Sequence, residues 1–381
     1  MATEKIMDQG NSLIMRDRLP IWKVCGADGQ FLADAISNTL GPITEPDMKE
    51  GWSTVFTRKG DQLLDKARSP ALSGTQKTDL YGKAALYYGI ARFPATETQS
   101  KQDAYAKQIL ALTEGGRHFP FVFRRLRIPH GGKEIIVNYY LPRPEGEIII
   151  PEAVLLTGGT DYTKEDLHTV AVQVVSEGMA CMVIDMPGTG ESEWKLSDGH
   201  AVYSRAIKYL AGMGDSDPSR IGMMGISFGG YWSLAAAAAC PEIRAAVNCG
   251  GPVHRAFSQD NLKHLPAYRK VALARALGYP ADELDRSMVA MDSFSLFIRD
   301  EIRRISCPLL SIDGSDDPYV PIEDLFMISE EGGVRQEEWI YRGDLHCAPR
   351  QFSTWMPRAV IWLANQIGGP ERMPRPDIAQ L

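Results

Sequence analysis

Residues 222–230 read GMMGISFGG. An apolar run leads into them and YWSLAAAAAC follows, so the pattern predicts a strand that turns at once into a helix. Such a turn crowds the positions two residues either side of its apex. Glycine at 225 and 229 relieves the crowding, and Ser227 at the apex takes a strained backbone conformation. A tight packing corner and a bend that exposes a nucleophile both fit this spacing. The strand–turn–helix setting favours the second. It projects the serine hydroxyl away from the backbone and puts the Phe228 amide at a helix N-terminus, where it can stabilise an oxyanion.

The surroundings fit that turn. From about Phe119 onward, strand-like runs alternate with helical ones. FVFRRLRI and EIIVNYYL flank a PHGGK turn, AVLLT, ACMVID, RIGMMGI, IRAAVNCG, PLLSID and EEWIYR follow, and helical stretches separate most of them. This alternation predicts a mostly parallel sheet covered by helices. The alternation stops at about 252–304, which reads as a helical insertion between two core strands. Residues 1–118 read differently, with apolar residues at helical spacing from about Asp47. In TDLYGKAALYYGIARF the residues Leu80, Ala84, Tyr87, Tyr88 and Ala91 share a face, Thr78 or Asp79 serves as cap, and Pro94 stops the helix. The expected organisation is a helical domain at 1–118 and a sheet domain at 119–381. Lys164-Glu165-Asp166 reads as a helix opening, and Asp185 as the residue that fixes the turn after its strand.

Composition narrows the partners. The net charge of the 381 residues is −7 and no basic cluster stands out, which argues against nucleic acid. The six cysteines form neither a C-x-x-C pair nor a Cys/His cluster at metal spacing. Their scatter through apolar runs points to a reducing compartment. The first twenty residues lack the basic-then-apolar order of a signal peptide, and no apolar run is long enough to span a bilayer. A cytoplasmic protein acting on a small molecule, with no metal and no cofactor, is the expectation.

A serine hydroxyl needs a base, and the chain order for this kind of turn is serine, acid, histidine. Past Ser227 the histidines are His254, His264 and His346; His346 lies in the YRGDLHCAPR loop and His264 inside a helical run. For the acid, LLSIDGSDDPYVP runs off a strand into a loop with Asp313, Asp316 and Asp317. Asp313 ends the strand. Asp317 sits on a stretch stiffened by Pro318 and Pro321, and is preferred, with Asp316 in reserve. A second oxyanion donor is expected from TGGTDYTKED, at the amide of Gly159 or Thr160, beside that of Phe228.

GISFGG, GSDDPYVP and LHCAP in that order, with IDMPGTGES upstream, resemble the α/β-hydrolase superfamily. The resemblance implies an eight-stranded, mostly parallel α/β-hydrolase sheet with helices on both faces. With the helical N-terminal segment and GGTDYTKED, the chain resembles the group of fermentation-respiration-switch esterase-like proteins, 2,6-dihydroxypseudooxynicotine hydrolase and the fungal polyketide-shortening pigment hydrolases. That implies an N-terminal helical lid, a homodimer, and cleavage of a carbon–carbon bond beside a ketone, or of an ester, in a polyketide-like or aromatic molecule of secondary metabolism. It assigns Ser227, Asp317 and His346 as the triad. One relative of this kind uses a further acidic group. The matching stretch, GGPVHRAFSQDN, has no glutamate, and His254 and Asp260 are its nearest substitutes. Tyr87, Tyr88, Phe93, Trp232 and Phe257 are the candidate pocket residues. A cyclase or condensing enzyme on the same fold, and a non-catalytic small-molecule binder, are the competing readings.

Overall fold

The computed structural model describes residues 17–38, 46–93, 98–143, 150–333 and 335–368. The chain divides into two compact units, Met1–Arg124 and Arg125–Leu381.

In the first unit, α1 (Gly29–Asn38), α2 (Pro46–Ala67), α3 (Gly74–Arg92) and α4 (Gln99–Gly115) are long helices. Helix α3 packs on both α2 and α4. It starts a turn earlier than Thr78 or Asp79 would place it. Ser73 is the cap: it accepts the Gln76 amide while the Gln76 side chain accepts the Ser73 amide, which satisfies two amides at once. The Thr78 hydroxyl donates instead to the His118 carbonyl, and Asp79 pairs with Lys83. Phe93 ends the helix in extended backbone; Pro94 lies outside the described residues. The interior is aromatic. Trp52 and Phe56 sit 4.5 Å apart, the Tyr87 hydroxyl accepts the Asp28 amide, and the Tyr88 hydroxyl donates to Asp61 at 2.8 Å.

The second unit is built on an eight-stranded sheet in the order β1-β2-β4-β3-β5-β6-β7-β8. The strands are β1 (Val122–His130), β2 (Lys133–Leu141), β3 (Ala153–Thr157), β4 (Ala180–Ile184), β5 (Ile221–Ile226), β6 (Ile243–Cys249), β7 (Leu309–Gly314) and β8 (Gln336–Tyr341). β2 runs antiparallel to β4, and the pairs from β4 through β8 are parallel. β3, β4, β5 and β7 are buried along their whole length, as strands covered on both faces must be.

Five helices flank these strands: α5 (His168–Ser176), α6 (Gly199–Ala211), α7 (Phe228–Ala239), α10 (Glu323–Gly332) and α11 (Phe352–Ile367). Alternate strand residues Leu155, Met182, Met223 and Ala246 join a core with Tyr203, Trp232 and Leu234 from α6 and α7. On the intervening positions, Gly222 abuts Leu363 of α11. The helical insertion lies between β6 and β7, where the sequence places it. It contains a one-turn helix at Gln259–Leu262, α8 (Ala267–Leu277) and α9 (Leu284–Ala290). Its start is pinned by the buried carboxylate of Asp324 on α10, which accepts the amides of Val253, His254, Arg255 and Ala256. Among the described residues, no helix is long and apolar enough to cross a membrane.

Candidate active site

The turn after β5 is as tight as its glycines suggest. Ser227 sits at φ 60°, ψ −131°, a strained region for a residue with a side chain. A methyl group on Gly225 would strike the Gly229 carbonyl, and one on Gly229 would lie 2.6 Å from the Thr157 carbonyl oxygen. The backbone holds the apex through the Ser227 amide, which donates to the Cys249 carbonyl at 2.7 Å. The hydroxyl therefore stands at the C-terminal edge of the parallel strands, the usual place for chemistry in such sheets.

Two loops meet it there. Ser227 Oγ lies 2.8 Å from His346 Nε2, and His346 Nδ1 lies 2.6 Å from Asp317 Oδ2. The other carboxylate oxygen of Asp317 accepts the Tyr319 and Val320 amides at 2.7 and 3.1 Å, so the loop's own backbone fixes the carboxylate. Asp316 is exposed, with Ser315 donating to it, and does not meet the imidazole. The His346 loop is strained as well: Cys347 and Ala348 have φ of 62° and 46°. The Cys347 amide donates to the buried carboxylate of Asp313, and the Trp355 indole donates to the Ala348 carbonyl. These bonds hold a conformation that non-glycine residues avoid, and they aim the imidazole.

Charge follows from this packing. Burial disfavours a charged His346, but the Asp317 carboxylate outweighs it and holds the imidazole well above its ordinary pKa. Burial first, and then the Asp317 charge, push Asp313 well above the carboxylate range. Donor atoms of Asp313, Asp317 and His346 lie within 4.8 Å of one another. Both ring nitrogens of His346 are engaged, by Ser227 and by Asp317, so this trio is built as a hydrogen-bond chain rather than as a metal's ligand set.

The loop after β3 supplies the other wall. A methyl group on Gly159 would lie 2.7 Å from Ser227 Oγ and 3.1 Å from the Phe228 amide nitrogen. That space, kept open by the missing side chain, is where a substrate oxygen would meet the Phe228 amide. Thr160 lines the adjoining cavity, about 60 Å³ in volume, with Ser227, Phe228, Phe257 and His346. Most of the remaining lining comes from the insertion and is apolar.

The other sequence candidates go elsewhere. Tyr87, Tyr88 and Phe93 are buried in the interior of the helical unit. Trp232 is buried against Tyr203, with ring centroids 5.1 Å apart, and belongs to the sheet core. The His254 amide is bound by Asp324 and its ring by Ser295. Asp260 is exposed and paired with Lys263. His254 and Asp260 line a separate depression, so neither is brought to Ser227.

The sequence did not disclose a buried ionic cluster beside the Gly159 loop. Lys164 and Glu165 do not open a helix; α5 begins at His168. Lys164 Nζ lies 2.8 Å from Asp185, 2.6 Å from Glu191 and 3.2 Å from Glu165. Arg125 also reaches Glu191 at 2.6 Å, and Asn138 donates to Glu165. Asp185 accepts the Lys164 and Glu191 amides, which ties the loop after β3 to the loop after β4. A charged triplet read along the chain carries no sign that it is buried; its partners are 21 and 27 positions away.

Comparison with known proteins places the chain. A family model for FrsA-like esterases matches residues 50–361. The chain belongs to the FrsA-like esterase family. Esterase FrsA of Klebsiella pneumoniae is 28% identical over 364 residues, covering 88% of this chain and 85% of that protein. Esterase FrsA of Vibrio cholerae is 27% identical over 294 residues, covering 74% and 69%. Two solved structures share the fold. That of 2,6-dihydroxy-pseudo-oxynicotine hydrolase superposes with a TM-score of 0.73 at 19% identity, covering 92% of this chain and 96% of that one. Wild-type AbyA5 also gives 0.73, at 21% identity, covering 91% and 94%. Family and fold agree on an α/β-hydrolase.

Proposed function

We propose that this FrsA-like protein is a serine-dependent hydrolase that cleaves a carbon–carbon bond beside a ketone, or an ester, in a polyketide-like or aromatic small molecule. The observation that carries the reading is the hydrogen-bond chain from Ser227 through His346 to Asp317 at the wall of an apolar cavity. In this mechanism neutral His346 takes the Ser227 proton as Oγ attacks the substrate carbonyl, and Asp317 orients the ring and balances the imidazolium. The oxyanion rests on the Phe228 amide and on that of Gly159 or Thr160. The bond to the leaving group then breaks. In a β-diketone its electron pair moves onto the neighbouring carbonyl as an enolate, and His346 returns the proton to carbon. Water, deprotonated by His346, releases the acyl group as an acid. The apolar lining suits a carbon skeleton with few polar groups.

Incubation with 1-phenyl-1,3-butanedione and with 4-nitrophenyl butyrate in ¹⁸O water tests this. Hydrolysis puts one ¹⁸O into the acid product of at least one substrate, and Ser227→Ala abolishes that. Cleavage of the ester alone would remove the carbon–carbon branch. Products without label would overturn the hydrolytic reading.

A further inference from the structure

Two carboxyl groups stand behind the catalytic imidazole, and the mechanism uses only Asp317. Asp313, next to last in β7, is 2% exposed, and the Asp317 side chain is wholly buried. One oxygen of each acid and a ring nitrogen of His346 lie within 4.8 Å of one another. Two like charges this close and this dry do not persist together, so one acid keeps its proton. The hydrogen bonds decide which. Asp317 accepts on both oxygens, the Tyr319 and Val320 amides on Oδ1 and the His346 ring on Oδ2, as an ionised carboxylate does. The Gly314 amide at 2.8 Å and the Cys347 amide at 2.9 Å both meet Oδ1 of Asp313, which suits a carbonyl oxygen and leaves Oδ2 for a hydroxyl. Asp317, His346 and the thiols of Cys249 and Cys347 are the titratable groups that face Asp313. Burial and the Asp317 charge outweigh the pull of a charged His346 on this acid.

We propose that Asp313 is a positioning residue that stays protonated at neutral pH: its carbonyl oxygen holds the Cys347 amide, and with it the His346 loop, while its hydroxyl faces Asp317 without adding charge. A second carboxylate there would favour a protonated His346, and an imidazolium cannot take the Ser227 proton. Neutral Asp313 therefore anchors the strained backbone at Cys347 and Ala348 and leaves His346 a base. The proton rests on the geometry of the two acids; its part in catalysis rests on the hydrolase reading.

NMR of the full chain labelled with ¹³C at the aspartate Cγ tests the proton directly. The resonance that disappears in Asp313→Asn is expected at the shift of a protonated acid at pH 7, and Asp313→Ser assigns it if the asparagine variant does not fold. A carboxylate shift at pH 7 overturns the proposal. Stability gives a second readout. A proton kept by the folded chain and lost by the unfolded one costs stability as pH rises above about 3.9, where an unfolded aspartate ionises. Relative to Asp313→Asn, the wild type's unfolding constant should rise about tenfold per pH unit from there until folded Asp313 ionises. A difference that stays constant with pH marks a packing role and also overturns the proposal. Fluorophosphonate labelling of Ser227 separates the two readings. Asp313→Asn, neutral and able to accept the Cys347 amide, is expected to label about tenfold or more faster than Asp313→Leu, which cannot accept it. Equal rates remove the positioning role. An unlabelled wild type that shows the protonated resonance removes the hydrolase and keeps the proton on Asp313.

Discussion

Two buried ionic clusters sit in the loops after the strands of the same sheet, and they are built on opposite plans. The Lys164 cluster is closed. One ammonium faces three carboxylates, Arg125 and Asn138 satisfy two of those carboxylates, and the acids draw Lys164 above its ordinary pKa despite burial. The Asp317 cluster is open at one end. Its carboxylate is bound by two amides and one imidazole, and the imidazole faces a hydroxyl that borders a cavity. A closed cluster can only hold loops together. An open one can pass a proton to something that enters. The closed cluster also serves the open one, because it fixes the loop that carries Gly159 and Thr160.

Removing the acid of the open cluster should have the largest effect. Asp317→Asn is expected to lower kcat by about 10⁴-fold, through loss of tautomer control and of charge balance. Steady-state kinetics on the best substrate, with folding followed by circular dichroism, checks it. A loss of tenfold or less would place Asp317 outside the proton path. The closed cluster answers in stability instead. Lys164→Met leaves Asp185, Glu165 and Glu191 without their shared cation and should cost about 3–5 kcal/mol in denaturant unfolding. An unchanged midpoint would show that the cluster holds nothing.

A smaller effect concerns pH. Asp317 raises the pKa of His346, so the imidazole becomes a free base only above its ordinary value near 6.5. The rising limb of kcat/KM is expected above that pH. In Asp317→Asn the limb should move to lower pH, because burial then acts without the opposing carboxylate. A limb that stays in place would contradict the assignment. The least of these effects lies outside both clusters: Tyr88→Phe removes the hydrogen bond to Asp61 and should cost about 1 kcal/mol by the same unfolding measurement.

What the sequence disclosed, and what it hid, divides along physical lines. The turn at Ser227 was legible because its constraint is local: two glycines and an apex serine are neighbours in the chain. The order of acid and histidine loops was legible because each runs off a strand end, and Pro318 marks the stiff segment at Asp317. Burial of a charge was not legible. Lys164 and Glu165 read as a helix opening until partners many positions away are brought to them. The same limit misplaced the aromatic candidates. Tyr87, Tyr88 and Trp232 lie on helices with apolar faces, and only the packing shows that those faces meet other helices or the sheet rather than a ligand. His254 was drawn off by Asp324, 70 positions away.

The central claim is that Ser227 is a nucleophile made reactive by His346. Mass spectrometry of the protein after brief exposure to a fluorophosphonate tests it most directly. A single adduct is expected on the peptide containing Ser227, and none after Ser227→Ala or His346→Ala. A folded wild-type protein that stays unmodified at Ser227 would contradict it.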